Sequence, residues 1–97
     1  MEKCCQCKKT VRSEEDKKAI TSRLNRISGQ INGIKKMIEE DKYCDDVLIQ
    51  LSAVNKSIKS LANLLIEKHM NTCVVREITN GNTEVLAEIV DLFKRFQ

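Results

Sequence analysis

Residues 20–38 read ITSRLNRISGQINGIKKMI, and this stretch has the most regular apolar pattern in the chain. Its large apolar residues recur in alternating steps of four and three, at Ile20, Leu24, Ile27, Ile31, Ile34 and Ile38. A heptad-like stripe of this kind lies along one face of an α-helix. Ser13 and Asp16 form an S-x-x-D capping signature ahead of the stripe, so the pattern predicts helix 1 over residues 13–40.

A second stripe follows a short turn predicted over residues 41–44. It repeats the same steps at Val47, Leu51, Val54, Ile58, Leu61 and Leu65. Asp45 and Asp46 place negative charge in its first turn, where the helix dipole favours it. The pattern predicts helix 2 from about Cys44 to beyond Cys73. Residues 79–82, TNGN, are the clearest break in the chain. A short third helix is marked by Val85, Leu86, Ile89, Val90, Phe93 and Phe96.

Length and composition favour an all-α protein with one folded domain. The chain has 97 residues, no proline and three glycines. Residues 1–12 carry Cys4, Cys5 and Cys7 without an apolar period, and we predict a mobile arm there, ahead of a single helical domain over residues 13–97. The short loop predicts that helices 1 and 2 form an antiparallel hairpin. Such a hairpin is too thin to bury both stripes, which predicts self-association.

The compartment and the class of activity follow from what the sequence lacks. It shows neither a secretory signal nor an apolar run long enough to span a bilayer, which predicts a cytoplasmic protein without a membrane partner. In a reducing cytosol, five cysteines are expected to be thiols, metal ligands or redox sensors. The net charge of +3 indicates a polyanionic partner only mildly. No oxyanion motif or glycine-rich loop is visible, so we predict that the protein is not an enzyme.

His69 and Cys73 are spaced i, i+4, which places both side chains on one face of a helix. Two donors are too few for a tight metal site, and Cys44 is the candidate for the third. The helical rise puts Cys44 about 37 Å from His69 along the same helix. Two copies of helix 2 packed antiparallel would instead bring Cys44 of one subunit to His69 and Cys73 of the other. The twofold axis would then lie near Ser57 and Ile58.

Two thiolates and one imidazole form a soft set of three ligands. Soft sulfur ligands select monovalent copper or zinc, and structural zinc generally takes four ligands, so Cu(I) fits better. A purely structural reading stays open for each residue, because free cysteines often fill cores and a lone histidine is often an ordinary core or surface residue. For Cys4, Cys5 and Cys7, the alternatives are a solvated arm and an auxiliary metal site.

Residues 23–34, RLNRISGQINGI, together with the Cys–His–Cys spacing, closely resemble the copper-sensitive operon repressor (CsoR) family. The resemblance covers about residues 13–96. It implies a three-helix protomer, an antiparallel helix-bundle dimer and a dimer-of-dimers tetramer. It also implies that the apo protein binds double-stranded operator DNA and that Cu(I) releases it, derepressing copper-resistance genes.

Ligand type separates the branches of that family. The nickel- and cobalt-sensing branch uses extra histidines, one of them about where this chain has Arg12. The formaldehyde-sensing branch uses an N-terminal proline and lacks the second thiol, and the persulfide-sensing branch lacks the histidine. The presence of His69 and Cys73 therefore favours the copper branch.

The resemblance also implies roles for residues outside the ligand set. Tyr43 matches a tyrosine that lies beside the metal ligands in copper-sensing members, and Glu84 or Glu88 would supply an acidic residue from helix 3. The residues expected to contact DNA are Arg23, Arg26, Gln30 and Lys59. Arginine and lysine would neutralise phosphates, and glutamine can read an adenine edge.

Two other functions stay open from the sequence. The first is a repressor of the same fold that senses persulfides or other reactive sulfur species through Cys44 and Cys73. The second is a copper-buffering protein that uses Cys4, Cys5 and Cys7 as a transfer site and does not bind duplex DNA.

Overall fold

The computed structural model describes residues 11–97, and all regular structure within them is helical. Helix α1 spans Glu14–Glu39, helix α2 spans Cys44–His69 and helix α3 spans Glu84–Lys94. Helix α2 continues directly into a π-helical turn, Met70–Val74, and a short α-helical segment, Val75–Thr79, which together we call the α2 extension. The predicted all-α fold with three helices is confirmed. The predicted mobile arm and its cysteines Cys4, Cys5 and Cys7 lie outside the described residues.

The ends of α1 form as the sequence predicts. The Ser13 hydroxyl accepts a hydrogen bond from the backbone N–H of Asp16 at 3.1 Å, which caps the first turn. At the other end, Asp41 adopts a φ of +55°, in the left-handed region that aspartate tolerates better than most residues. The backbone N–H of Lys42 donates to the carbonyl of Met37 at 2.9 Å. This tight reversal allows α2 to begin at Cys44.

Residues 13–61 form one of two compact units, and it contains α1 and most of α2. A guanidinium N–H of Arg23 donates to the hydroxyl of Ser60 at 3.2 Å, across 37 residues of sequence. An antiparallel hairpin that folds back at residues 40–43 places these two positions opposite each other. The predicted hairpin is therefore present in this unit.

Each apolar stripe of the hairpin divides into two rows. The inner row is wholly or partly buried and consists of Ile20, Ile27, Ile34, Val47, Val54 and Leu61. The outer row stays exposed in the single chain and consists of Leu24, Ile31, Ile38, Leu51 and Ile58. Within each helix the members of one row are seven residues apart. The hairpin therefore buries one of the two apolar positions in each heptad and leaves the other exposed.

Residues 62–97 belong to the second compact unit. Its apolar core joins Val74 of the α2 extension to Val85 and Ile89 of α3, and Ile66 near the end of α2 packs against them. The turn between the extension and α3 contains Gly81, whose φ of +89° strongly favours glycine. The predicted break at residues 79–82 is confirmed.

The π-helical turn is a local departure from the regular helix that the sequence predicts. The hydroxyl of Thr72 donates to the carbonyl of Lys68 at 2.9 Å, at the place where the helix widens. In a regular α-helix that carbonyl would accept the backbone N–H of Thr72. A threonine hydroxyl that bonds back to the preceding turn weakens and bends a helix, which accounts for the irregularity at this position. None of the helices in residues 11–97 has the length and apolar character needed to cross a membrane.

Candidate metal centre and DNA-facing surface

Cys44 is the first residue of α2, and its thiol is exposed. It belongs to the unit formed by residues 13–61. The preceding residue, Tyr43, is also exposed and ends the turn from α1, its carbonyl accepting the backbone N–H of Val47 at 3.2 Å. An exposed thiol at the start of a helix is accessible to a metal ion that is also bound by residues of another chain.

His69 and Cys73 lie in the other unit, one turn apart. His69 is the last residue of α2 and is half-buried, whereas Cys73 lies in the π-helical turn and is only 1% exposed. The hydroxyl oxygen of Thr72, whose proton is donated to Lys68, lies 3.8 Å from the Sγ atom of Cys73. The pair therefore offers one imidazole and one shielded sulfur from the same stretch of helix.

Glu77 is a feature of this region that the sequence reasoning missed. It follows Cys73 by four residues in the α2 extension and is 1% exposed, although it carries a carboxyl group. The residues His69, Cys73 and Glu77 continue one i, i+4 series, and that spacing is the signal that could have found it. A buried carboxyl group therefore follows Cys73 by four residues within the α2 extension.

The acidic candidates on α3 are both exposed. Glu84 is the first residue of α3, where its backbone N–H donates to the side-chain oxygen of Asn82 at 3.3 Å. Glu88 lies one turn later, next to the buried Ile89. That one of these two residues supplies the acidic group beside the ligands stays a prediction.

No three of the histidine, cysteine, aspartate and glutamate side chains in residues 11–97 are grouped so that one chain could hold a metal ion. One chain offers His69 and Cys73 together, while Cys44 lies at the opposite end of the 26-residue helix α2. A three-ligand site built on these residues thus needs a donor from a second chain.

Two of the predicted DNA-contacting residues share one groove. Arg23 and Arg26 lie on its α1 side, above the buried Ile27, and the groove has a volume of about 230 Å³. Lys59 is half-buried on α2 and does not line the groove. Gln30 is also half-buried and its Oε1 atom is inaccessible, so it would present both amide atoms to an adenine only after its side chain rotates outward.

These features define a class of protein. An all-helical chain with soft metal donors at both ends of one helix, and guanidinium groups along another, has the parts of a metal-responsive DNA-binding regulator. The family model described as metal-sensitive transcriptional repressor matches residues 16–95. The chain belongs to this family.

Individual relatives give the same assignment. The chain is 44% identical over 86 residues to the copper-sensing transcriptional repressor CsoR of Bacillus subtilis, covering 88% of this chain and 85% of that protein. It is 39% identical to the copper-sensing repressor CsoR of Geobacillus thermodenitrificans, whose crystal structure with Cu(I) matches with a TM-score of 0.82 over 90% of this chain and 92% of that chain.

A nickel sensor shares the fold as well. The nickel-responsive transcriptional regulator InrS matches with a TM-score of 0.71 at 39% identity, covering 91% of this chain and 100% of that chain. Because structures of both a copper sensor and a nickel sensor match, the fold does not determine the metal. The choice of metal must be argued from the donor atoms.

Proposed function

We propose that this protein is a Cu(I)-responsive transcriptional repressor of the cytoplasm. Its apo form binds double-stranded operator DNA, and Cu(I) bound between subunits lowers the affinity for DNA and derepresses copper-resistance genes. The observation that carries the proposal is the placement of Cys44 at one end of α2 and of His69 and Cys73 at the other. The repressor class follows from the family, and the copper-sensing relatives support the choice of metal.

The donor set fits Cu(I). Two cysteine sulfurs and one histidine nitrogen are soft or intermediate ligands, and three such donors satisfy monovalent copper. Cys73 is shielded from solvent within its own chain, while Cys44 is exposed and accessible to a partner. Cys44 of one subunit and His69 and Cys73 of the other would hold Cu(I), which would link the two subunits. Tyr43 and either Glu84 or Glu88 are proposed to orient these groups.

The outer row supplies the contact that such a dimer requires. Its five residues are exposed in the single chain: Leu24, Ile31 and Ile38 lie on α1, and Leu51 and Ile58 lie on α2. Packing two copies of α2 antiparallel would remove the α2 members of the row from water, at about 25 cal/mol for each Å² of apolar surface. A tetramer formed from two such dimers would have four copies of the groove lined by Arg23 and Arg26, and more than one of them could contact the same duplex.

Release of DNA follows from linkage between the two ligands. His69 directly precedes the π-helical turn and Cys73 lies within it, so binding of one ion by both residues would restrict the conformation of that turn. If DNA favours another packing of the same helices, the factor by which Cu(I) weakens DNA binding equals the factor by which DNA weakens Cu(I) binding.

A titration of the operator duplex tests the proposed function. Apo protein, kept reduced, is added to fluorescently labelled duplex from the region upstream of its own gene, and anisotropy is recorded with and without one Cu(I) per protomer. We expect tight apo binding and an affinity at least about tenfold lower with Cu(I), because couplings between sites typically range from 5- to 150-fold. Equal affinity in the two conditions would exclude a copper-responsive repressor.

Copper affinity is expected to rise with pH. Both thiols must lose a proton to bind the metal, so protons compete with Cu(I) while the thiols are protonated. The affinity should therefore increase by up to about 100-fold for each pH unit, since two protons leave. Competition with a chromophoric Cu(I) chelator between about pH 6 and pH 8 measures this slope. The Cys44→Ala variant, with one thiol fewer, should show about half the slope, and a flat profile in the parent would refute thiolate ligation.

A further inference from the structure

The groove on the α1–α2 hairpin has a lining that the predicted DNA contacts only partly include. Arg23 and Arg26 form one side, and Lys56, Ser57 and Ser60 of α2 form the other. Its floor includes the buried side chain of Ile27. All six residues belong to the compact unit of residues 13–61, so the hairpin builds this groove within one unit.

The charges around the groove are unbalanced. Three of its six lining residues are cationic and none is acidic. Within residues 11–97, no ion pair involves Arg23, Arg26 or Lys56, whereas Lys17, Lys36 and Lys42 each have a glutamate partner. An anion that enters the groove would therefore meet cations that are not already neutralised.

The Ser60 hydroxyl and Arg23 are arranged to donate hydrogen bonds into the groove. One N–H of Arg23 is held by the Ser60 oxygen at 3.2 Å, which leaves the rest of the guanidinium fork available. The Ser60 hydroxyl accepts that bond and keeps its own proton for an acceptor in the groove. Ser57 is different, because its hydroxyl donates to the carbonyl of Ala53 at 3.1 Å. A pre-positioned guanidinium with nearby hydroxyl and ammonium donors matches the several oxygens of a phosphate group.

We propose that this groove is a phosphate-binding site that grips one backbone phosphate of the operator duplex. This inference rests on the proposed repressor function and adds Lys56 and Ser60 to the DNA contacts expected from the sequence. Arg23 and Lys56 bind the phosphate oxygens from opposite walls, and Ser60 holds Arg23 in place. The site makes no contact with the bases. It fixes the position of the hairpin along the DNA backbone.

The first test is the salt dependence of operator binding by groove variants. Each phosphate contact adds about 0.9 to the slope of log affinity against log salt concentration. We expect Lys56→Ala to lower affinity at least about threefold and to reduce the slope by about one for each groove on the duplex. Ser60→Ala should weaken binding in the same direction, because Arg23 is then no longer held.

Lys18→Ala is the matched control. Lys18 is an exposed lysine of α1 outside the groove, and its removal changes the net charge by the same amount as Lys56→Ala. Five residues at about 100° per residue separate it from Arg23, which places it on another side of the helix. The salt slope of Lys18→Ala should equal that of the parent. Parent-like slopes in both Lys56→Ala and Ser60→Ala would overturn the proposal.

Inorganic phosphate provides an independent readout that needs no DNA. Titrated into the apo protein at constant ionic strength, it should shift the backbone amide resonances of Ser57 and Ser60, and Lys56→Ala should remove these shifts. If the parent fails to bind the duplex but shows the phosphate shifts, the repressor function is wrong and the anion site is retained. If the parent binds DNA and releases it with Cu(I) but the groove variants behave like the parent in both assays, the groove inference alone fails.

Discussion

We expect the Cys73→Ala variant to lose copper-driven release from operator DNA while its apo form still binds the duplex. Cys73 is 1% exposed and supplies the shielded sulfur of the proposed site. Loss of that ligand should lower the Cu(I) affinity by more than about 100-fold, since even residues that only orient metal ligands contribute about 10- to 100-fold. The small void left in the core should cost about 1 kcal/mol of the free energy of unfolding, which leaves the helical fold intact.

This experiment should start from a parent in which Cys4, Cys5 and Cys7 are replaced by serine, because three neighbouring thiols can bind Cu(I) on their own. Cys44→Ala is the companion variant. Its thiol is exposed, so its removal tests the ligand role with little effect on packing. Anisotropy with labelled duplex reports release, and chelator competition reports Cu(I) affinity. If both variants keep the copper response of the parent, the assigned ligands are wrong.

The second large effect is expected from Ile58→Asp, which should convert the assembly into monomers. Ile58 is 40% exposed in the single chain and lies near the proposed twofold axis of the dimer. In that dimer, two aspartates would face each other inside an apolar seam, and each buried, uncompensated carboxylate costs about 3–5 kcal/mol. Sedimentation velocity should show the mass of one chain. Both the copper site and high-affinity DNA binding should be lost, because each needs more than one subunit.

Ile49→Asp is the control for this substitution. Ile49 is 63% exposed, and nine residues at about 100° each place it on the opposite side of α2 from Ile58. The chemical change is the same, but the new carboxylate stays outside the proposed seam between the two copies of α2. This variant should retain the dimer and bind Cu(I). A parent-like assembly of Ile58→Asp would show that the outer row is not the dimer interface.

Most of the fold could be predicted from the sequence because its signals are local and regular. The two seven-residue repeats, the Ser13 cap and the break at residues 79–82 all correspond to observed features. The repeats also predicted more apolar surface than a hairpin can bury, and the outer row is that surface. The helical periodicity, the capping residue and the turn residues all favour the fold that is observed, and such agreement makes a fold predictable from its sequence.

Other features depend on packing that periodicity does not encode. The π-helical turn arises where the Thr72 hydroxyl bonds back to Lys68, and a heptad pattern gives no sign of it. The burial of Glu77 was missed because a glutamate in a helix usually lies in solvent. Lys56 and Ser60 were also missed as groove residues, since the groove exists only when α1 and α2 lie side by side. The roles of Cys44, His69 and Cys73 as ligands stay predictions.

Subunit mixing tests the shared site most directly. Cys44→Ala and Cys73→Ala are each prepared in the parent without arm cysteines, then unfolded together and refolded as a mixture. In a mixed antiparallel dimer, one end has all three donors and the other end lacks both thiols. The account predicts that neither variant alone binds Cu(I) tightly and that mixed dimers bind one ion per dimer with parent-like affinity. Mixed dimers that bind no more tightly than the separate variants would contradict a site shared between subunits.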